Sequence, residues 1–405
     1  MEKVVLKNAI QKPISGEWGT EPENGDGIQV IRSTNFTNEG HLDLSNVVVR
    51  KIPESKVAKK RLVYGDTILE KSGGSPKQPV GRVVYFDLNA EDGLFLCNNF
   101  TSVIRPKKSV DSRYLFWFLF GCHRFGFTQK FQNKTTGIIN LKLDQYLSSV
   151  EIPLPPLTEQ RRIASQLDQA DRLRRLHQAQ LSAYDALARS LFLEMFGDPV
   201  KNEKGWEVRE IGEIVHSIDN GWSPVCEDSR RSFESEWAVL KLGAVTYRNF
   251  DPSQHKALKL EDKGRSDIEV QKGDLLFSRK NTYELVGACA YVFDTPANLM
   301  LPDTIFRLNY NQEAASPIFL WFLINDKVFR KEIQRLASGS SGSMPNISKG
   351  RLLKKEIPLP PLSLQTRFAS MIENLEQQKA QMQAAAREAE GLFQGLLQEV
   401  FGGGS

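Results

Sequence analysis

Cysteine and histidine are both scarce in this sequence of 405 residues. The four cysteines, Cys97, Cys122, Cys226 and Cys289, are scattered and form no Cys-x-x-Cys pair. This spacing argues against a zinc knuckle or a disulfide framework and is typical of a reducing cytoplasm. The five histidines are dispersed as well, so we expect no histidine-based metal site.

Long hydrophobic runs and a strong net charge are also absent. The longest apolar run that we considered, residues 114–120, is far shorter than the roughly 18 residues needed to span a membrane. The first residues contain no apolar signal core, which favours a cytoplasmic protein. The net charge is +4, which permits a nucleic-acid partner without establishing one. The length predicts two to four structural units.

Motifs for catalysis are missing. The sequence has no Gly-x-x-x-x-Gly-Lys-Ser/Thr loop for nucleotide phosphates and no His-Glu-x-x-His metal site. Its two Pro-Pro pairs are flanked by leucine, unlike the Asn/Asp-Pro-Pro-aromatic motif of amino methyltransferases. Two nuclease-like fragments, residues 54–56 and 261–263, are predicted to be charges at exposed strand edges. We therefore predict no catalytic residue, no bound metal and no cofactor in this chain.

An internal repeat is the strongest feature that is present. Residues 151–197 align without gaps on residues 356–402, at an offset of 205, and more than a third of the pairs are identical. The identical block Glu-Ile-Pro-Leu-Pro-Pro-Leu opens both copies, and both close on a Phe-Gly pair.

Each copy of the repeat predicts one long helix. The prolines favour an extended lead-in, and Thr158 and Ser363 are predicted N-caps. Gly197 and Gly402 suit a C-terminal cap. A helix of roughly 40 residues would be about 60 Å long.

Apolar residues recur along both helices at alternating steps of four and three. This spacing predicts an antiparallel coiled coil in which the two helices bury each other's apolar stripe. An alternative is that each helix packs on its own globular domain. The predicted seam consists of Ile163, Leu167, Ala170, Arg174, His177, Leu181, Tyr184, Ala188, Leu191 and Met195, and of Phe368, Ile372, Leu375, Lys379, Met382, Ala386, Ala389, Phe393, Leu396 and Val400.

The regions before the helices repeat more faintly. Gly65-Asp-Thr-Ile-Leu resembles Gly273-Asp-Leu-Leu-Phe, and the aromatic run starting at Tyr114 resembles the one starting at Ile318. Short β-branched runs predict strands, and each aromatic run predicts a buried helix. The predicted fold class is α+β, with two globular domains joined by two long helices. The predicted boundaries are residues 1–152, 153–201, 202–357 and 358–405.

The duplicated Ile-Pro-Leu-Pro-Pro-Leu followed by Thr-Glu-Gln-Arg-Arg-Ile, together with Gly-Asp-x-Leu-Phe, resembles the specificity subunits of type I restriction–modification systems. The resemblance covers essentially the whole chain and implies that it begins directly in the first target-recognition domain. It implies that each domain reads half of a bipartite site in double-stranded DNA and that the helices set the spacing. It also implies that the helices dock two methyltransferase subunits, through which motor and nuclease subunits join. S-adenosylmethionine, ATP and magnesium would belong to those partners.

Copy two departs from the family pattern at the helix start, where Ser363-Leu-Gln-Thr-Arg-Phe replaces Thr-Glu-Gln-Arg-Arg-Ile. Gln160, Arg162, Gln365 and Arg367 are kept in both copies, and the resemblance implies that they lie on the partner-binding helices. The departure puts equal partner affinity at the two helices in doubt.

Polar loops supply the candidates for DNA contact. Arg279 suits a bidentate contact with guanine, Asn281 a contact with adenine, and Tyr283 stacking on a base. Polar residues before each long helix could clamp phosphates, although residues 338–343 are also typical of a flexible linker. The predicted DNA-binding residues are Arg32, Asn35, Lys71, Ser72, Lys77, Lys134, Lys241, Arg279, Lys280, Asn281, Tyr283 and Ser340.

Two other functions stay open on the sequence alone. One is a coiled-coil scaffold for protein interaction that has no role at DNA. The other is a bipartite DNA-binding protein that works without partner subunits.

Overall fold

The computed structural model describes residues 2–75, 78–135, 138–259, 261–339 and 344–402. The chain divides into two compact units. Unit 1 comprises Met1–Ala179 with Gln383–Ser405, and unit 2 comprises Gln180–Met382. Each unit therefore combines one globular region with parts of both long helices. These units cut across the four successive segments predicted from the sequence.

Unit 1 is built from short strands and helices around a buried aromatic helix. Its strands are β1 (Lys3–Val5), β2 (Ile14–Ser15), β3 (Ile28–Ile31), β4 (Val48–Arg50), β5 (Thr67–Glu70), β6 (Ser72–Gly74), β7 (Val83–Tyr85), β8 (Phe95–Cys97), β9 (Thr101–Ile104), β10 (Gln132–Thr135), β11 (Ile138–Leu141) and β12 (Glu151–Pro153). Its helices are α1 (Leu6–Ala9), α2 (Glu54–Lys60), α3 (Ser112–Arg124), α4 (Leu143–Ser149) and the first part of α5 (Leu157–Phe196).

The strands of unit 1 form small sheets. An antiparallel sheet has the order β2-β9-β5-β7, and a mixed sheet has the order β4-β3-β8, in which β3 and β8 are parallel. A third sheet, β10-β11-β6, and the pair β1-β12 complete the described strands. The pair β1-β12 joins the start of the chain to the proline-rich lead-in of α5.

Unit 2 repeats this architecture with longer loops. Its strands are β13 (Glu207–Glu210), β14 (Val215–Asn220), β15 (Ala238–Leu240), β16 (His255–Ala257), β17 (Leu275–Ser278), β18 (Cys289–Tyr291), β19 (Leu299–Met300), β20 (Ile305–Tyr310) and β21 (Glu356–Leu359). Its helices are α6 (Ile211–Ile214), α7 (Gly243–Thr246), α8 (Pro317–Asn325), α9 (Phe329–Gln334), α10 (Lys349–Leu353) and the first part of α11 (Leu362–Phe401). The sheets have the orders β14-β20-β17-β18, β16-β15-β19 and β13-β21.

The offset of 205 residues extends from the long helices into the globular regions. Val5 pairs with Glu151 in unit 1, and Glu210 pairs with Glu356 in unit 2. The buried helices α3 and α8 follow the same offset. The Tyr114 ring lies 5.3 Å from that of Phe401, and the Phe319 ring lies 4.9 Å from that of Phe196. The predicted match of Tyr114 with Ile318 is therefore wrong by one residue, because packing against the long helix fixes the register.

The repeated Gly-Asp motif forms the turn before β5 and β17. Gly65 and Gly273 have φ of 92° and 93°, a conformation that strongly favours glycine. The following carboxylates, Asp66 and Asp274, accept hydrogen bonds from Arg105 and Arg307 respectively. The motif therefore fixes a turn and a charge pair inside each unit.

The long helices begin two residues earlier than the predicted N-caps imply. Leu157 and Leu362 open the helices, and the carbonyls of Pro156 and Pro361 accept the first backbone hydrogen bonds. Thr158 and Ser363 thus lie in the first turn, and their prediction as N-caps is wrong. The predicted exit is confirmed at Gly197, which has φ of 78° and donates its N–H to the Leu193 carbonyl.

The predicted seam is confirmed, since every seam position of α5 and α11 is buried or half-buried. Within unit 2, Asp185 contacts Lys379, and Phe196 farther along α5 contacts Phe368 at an earlier point of α11. The two helices are therefore antiparallel. They also pack on the globular regions, so the alternative arrangement is present together with the pairing.

In each unit, the hydrophobic cluster around the aromatic helix includes residues of both long helices. In unit 1, Tyr114 and Trp117 of α3 are fully buried together with Phe393 of α11. In unit 2, Phe319 of α8 is buried together with Phe192 and Phe368. Burying such rings stabilises each unit by roughly 1.5–3 kcal/mol per side chain.

The two nuclease-like fragments do not lie at strand edges, so that prediction is wrong. Residues 54–56 begin α2, where an acidic residue suits the first turn, and residues 261–263 lie outside any strand.

Candidate nucleic-acid interface

Arg32 and Lys241 occupy matching places in the two units. Arg32 follows β3 and Lys241 follows β15, each at the end of a strand in the mixed sheet. A short helical segment comes next in both units, a 3-10 turn at Ser33–Asn35 and helix α7. Both cations therefore lie directly at the end of a strand.

Asn35 is a structural residue of this segment. It is buried, its Oδ1 accepts the backbone N–H of Arg32, and its Nδ2 donates to the carbonyls of Asp43 and Asn46. Since both ends of the amide are used inside the fold, the prediction that Asn35 contacts DNA is corrected. Arg32 is half-buried and donates to the Asn46 carbonyl.

Three predicted residues of unit 1, from two segments that are distant in sequence, lie in or next to one small sheet. Ser72 lies in β6, Lys134 lies in β10, and β11 pairs with both strands, while Lys71 directly precedes β6. The Ser72 hydroxyl donates to Asn140 Oδ1, and Lys71 Nζ donates to Ser15 Oγ at 2.7 Å. Burial lowers the pKa of the Lys71 ammonium. Lys77 lies outside the described residues, next to the bridge between Ser75 and Gln78.

Arg82 is a positioning residue that the sequence did not reveal. Its guanidinium forms a bidentate pair with Glu70 at 2.9 Å, directly before Lys71, and donates to the Ser33 carbonyl of the 3-10 turn. The pair is nearly buried, with side-chain exposures of 11% and 3%. It joins the segment after Arg32 to the segment at Lys71. The sequence signal for this ion pair was a charged residue, Glu70, at the end of the buried strand β5.

The predicted loop of unit 2, residues 278–283, follows β17. Arg279 Nε donates to Asn346 Oδ1 at 3.0 Å, and its guanidinium lies 4.9 Å from the centre of the Phe306 ring. Lys280 and Tyr283 are exposed. Lys280 of this loop forms a β-bridge with Asn346, and Asn346 forms another with Ser338. The predicted residue Ser340 lies outside the described residues. The arrangement matches the small sheet of unit 1.

Asn281 joins this loop to the segment after Lys241. It is 6% exposed, its Nδ2 donates to Thr246 Oγ1, and its Oδ1 accepts the N–H of Thr282. The prediction that its amide reads adenine is therefore corrected. In unit 2 the residues that stay available at this loop are Lys280, Tyr283 and the remaining nitrogens of Arg279.

Gln160 and Gln365 are structural residues in the same way. Gln160 Oε1 accepts the N–H of Asp111, which caps α3, and its Nε2 donates to the Pro155 carbonyl. In unit 2, Gln365 accepts from Ser316 before α8 and donates to Pro360. Both side chains are fully buried. Their predicted role as partner contacts is therefore corrected, because they fasten each long helix to the aromatic helix of its own unit.

Arg162 and Arg367 are exposed, as a partner contact requires. Arg162 forms an ion pair with Glu159 at 2.6 Å and donates to Gln166, both on α5. These two arginines stay predictions.

The two units thus present the same constellation, a cation after a strand of the mixed sheet next to a polar loop. A family model of the type I restriction modification DNA specificity domain matches residues 11–183 and 203–390, one match for each globular region. The chain belongs to this family of type I restriction–modification specificity subunits.

Relatives and solved structures agree with this family. The EcoEI specificity subunit of Escherichia coli is 32% identical over 185 residues, which are 45% of this chain and 31% of that protein. The EcoKI specificity subunit of Escherichia coli strain K12 is 22% identical over 402 residues, 93% of this chain and 82% of that protein. The crystal structure of the S subunit from M. genitalium has a TM-score of 0.62 at 13% identity, with 99% and 96% of the chains covered. This likeness establishes the fold.

The described residues add two observations about chemistry. They contain no group of three or more His, Cys, Asp or Glu side chains that could hold a metal ion. In the same part of the chain, no helix is long and apolar enough to cross a membrane. Relatives of this family member come from bacteria and archaea.

Proposed function

We propose that each unit reads one half of a bipartite site in double-stranded DNA, and that the chain does so without catalysing a reaction. The duplicated constellation is the observation that carries the proposal. Lys71 and Ser72 in unit 1, and Arg279 and Lys280 in unit 2, stand at equivalent loops backed by a buried framework. The different side chains on that framework suit half-sites of different sequence.

The exposure and charge of each candidate side chain indicate which part of the DNA it would contact. Lys280 is exposed and follows the strand, so we expect it to bind a phosphate. Arg279 is held on Phe306 and Asn346, which leaves its terminal nitrogens for a base edge. Tyr283, at 54% exposure, suits contact with a base or a sugar. In unit 1, Arg32 would contact the DNA backbone, and Lys134 stays a prediction because its side chain is outside what the structure describes.

Partner subunits follow from the family. We propose that α5 and α11 set the spacing of the half-sites and dock two methyltransferase subunits, to which motor and nuclease subunits attach. Exposed Arg162 and Arg367 near the helix starts are the candidate contacts. S-adenosylmethionine, ATP and magnesium would be bound by those partners. A host DNA target implies a cytoplasmic location.

Single substitutions in one loop test the half-site proposal. In the complex reconstituted with its methyltransferase subunits, Arg279→Ala should relax one base position in one half-site, at a cost of about 1–3 kcal/mol, and leave the other half-site unchanged. Lys280→Ala should weaken binding to all sequences alike and reduce the salt dependence.

Methylation of a randomised oligonucleotide library, read by sequencing, measures these effects. Lys272→Ala is the matched control, since Lys272 is also exposed but precedes β17 instead of following it. Unchanged base preference in Arg279→Ala would remove this loop from the interface. A scaffold with no role at DNA would give no sequence preference in any variant.

A further inference from the structure

Unit 2 contains an open cleft between α8 and the paired long helices. Its volume is about 320 Å³, and its apolar wall is formed by Phe192, Trp321 and Phe322, with the small side chain of Ala188. Lys379 and Glu376 of α11 line it from one side. Arg189, Arg248 and Lys327 lie at its polar edge.

The repeat supplies an internal comparison, because the corresponding place in unit 1 is filled. The residue of α11 that matches Ala188 is Phe393, which is fully buried. Its ring lies 5.4 Å from that of Trp117, and the guanidinium of Arg174 lies 4.5 Å from the ring centre. Lys379 matches Arg174. Unit 2 therefore keeps the cation and the aromatic wall but lacks the ring between them.

Unit 1 also has a histidine at this place, His41, for which unit 2 has no histidine counterpart among the described residues. His41 Nε2 lies 2.9 Å from the carboxylate of Asp171, whose counterpart in unit 2 is Glu376. His41 follows Gly40, which has φ of 84° and lies against Phe116 of α3. In unit 2 the residue at the corresponding place beside α8 is Arg248, which has φ of 72°, and its carbonyl accepts the indole N–H of Trp321, the counterpart of Phe116. Asn249 follows it, and this side chain is exposed.

Glu376 is half-buried, with a side-chain exposure of 23%, and few groups compensate its charge. Among the described residues only Lys379 lies within ion-pair distance of its carboxylate, at 3.5 Å. Burial raises the pKa of this carboxyl above its ordinary value. In unit 1, Asp171 is buried too, but the hydrogen bond from His41 and the nearby Arg174 charge outweigh burial and lower its pKa. A hydrogen-bond donor inside the cleft of unit 2 would relieve Glu376.

We propose that the cleft of unit 2 binds an aromatic side chain of a protein partner, a tryptophan flanked by acidic residues. The indole ring would take the place that Phe393 fills in unit 1, and its N–H would donate to Glu376. A volume of about 320 Å³ is at the lower end for ligand pockets and suits one large side chain better than a cofactor. Buried tryptophan anchors are also typical of strong protein interfaces.

The charges at the edge of the cleft favour acidic residues on either side of the partner's tryptophan. Arg189, Arg248 and Lys327 are exposed cations. Asp185 is already paired with Lys379 at 2.6 Å, and the Asp326 carboxylate accepts backbone N–H groups of Val328 and Phe329. The charge that remains available to a partner is therefore positive. One of these cations, Arg248, has a left-handed backbone conformation that is uncommon in a residue other than glycine.

Short peptides test the chemistry of the occupant on the full chain. Titration calorimetry would compare acetyl-Glu-Trp-Glu-amide with acetyl-Glu-Ala-Glu-amide and acetyl-Lys-Trp-Lys-amide. We expect the acidic tryptophan peptide to bind at least tenfold more tightly than either of the other two. Equal binding of the alanine peptide would overturn the aromatic anchor, and equal binding of the lysine peptide would overturn the acidic flanks.

Ala188→Phe locates the binding site, because it copies the ring that fills unit 1. We expect this substitution to weaken binding of the acidic tryptophan peptide at least tenfold. Ala183→Phe, on an exposed face of α5, should bind the peptide as tightly as the unchanged chain does. Urea unfolding of both variants checks that they fold. A folded Ala188→Phe variant with undiminished binding would disprove the site. These measurements involve no DNA, so their failure leaves the half-site proposal intact.

Discussion

Gln160 and Gln365 illustrate at the residue scale how identity within a repeat can reflect the fold. Each glutamine accepts the N–H at the start of an aromatic helix and donates to a proline carbonyl at the start of a long helix. One buried backbone N–H and one backbone carbonyl are thereby hydrogen-bonded in each unit. These hydrogen bonds, which connect each long helix to the aromatic helix of its unit, explain why both copies have glutamine here. No contact with a partner subunit is required to explain it.

Gln160→Ala should destabilise unit 1 by about 1–3 kcal/mol, because it leaves buried backbone groups without partners. Arg162→Ala, two residues away, removes an exposed ion pair and should change stability by less than about 0.5 kcal/mol. Urea unfolding of both variants measures the difference. Equal midpoints would mean that the Gln160 hydrogen bonds add nothing to stability.

Residue types alone located the polar loops, but they did not reveal which side chains are available. Arg279 and Asn281 both suit base reading by chemistry, and only the packing on Phe306 and Thr246 distinguishes them. Asn35 was misassigned for the same reason. Burial of a short polar side chain depends on contacts with residues distant in sequence, and no local pattern encodes those contacts.

At the scale of elements, the paired helices carry the same polar cluster twice. In unit 1, Arg174 contacts Asp171 on its own helix and Glu390 on α11. In unit 2, Lys379 contacts Glu376 on its own helix and Asp185 on α5. The three positions correspond at the offset of 205 residues. Polar seam residues of this kind favour one register of a helix pair, so we interpret these clusters as register contacts.

Lys379→Met should destabilise unit 2 by roughly 1–3 kcal/mol, less than a fully buried pair would lose, because Asp185 is 64% exposed. The double variant Lys379→Met with Glu376→Met should be more stable than the single variant, since the half-buried Glu376 carboxylate is removed and the Asp185 carboxylate that remains is exposed to water. Urea unfolding at neutral pH compares them. Additive destabilisation by the two substitutions would contradict this account of the cluster.

The pH dependence of the Lys379→Met penalty provides a second measurement. Burial already raises the pKa of Glu376, and loss of the ammonium should raise it further. The folded state then holds its proton to higher pH than the unfolded chain. The penalty should therefore be complete at neutral pH and shrink as the pH falls and Glu376 becomes protonated. A penalty that stays constant with pH would exclude Glu376 as its source.

The long helices were the most predictable elements. A spacing of three and four residues over the whole segment predicted the seam, and the identical blocks predicted the helix starts to within two residues. The strands were less predictable, because each spans only two to six residues and many pair across long loops. The ion pair of Arg82 with Glu70 was unpredictable for the same reason, since no local pattern indicates that Arg82 also donates to the Ser33 carbonyl.

At the scale of the whole molecule, the sequence repeat and the compact units divide the chain differently. Unit 2 is a continuous stretch from Gln180 to Met382, whereas unit 1 needs both ends of the chain. The sequence predicted four successive segments because helical periodicity gives no information on which part of a helix packs with which domain. Completing unit 1 requires the last part of α11 to bury Tyr114 and Trp117.

A chain that ends at Met382 should therefore lose the order of unit 1 and keep that of unit 2. Truncation removes Phe393, Leu397 and Phe401, all of which are buried in the core of unit 1. Loss of one buried phenylalanine costs about 3–5 kcal/mol, so the combined loss is comparable to the whole stability of a domain. Hydrogen exchange followed by mass spectrometry should detect at least tenfold faster exchange in α3. Amides of β17 should be as protected as in the full chain, and a chain ending at Gly402 is the control. Unchanged protection of α3 would mean that the first 179 residues fold without the end of α11.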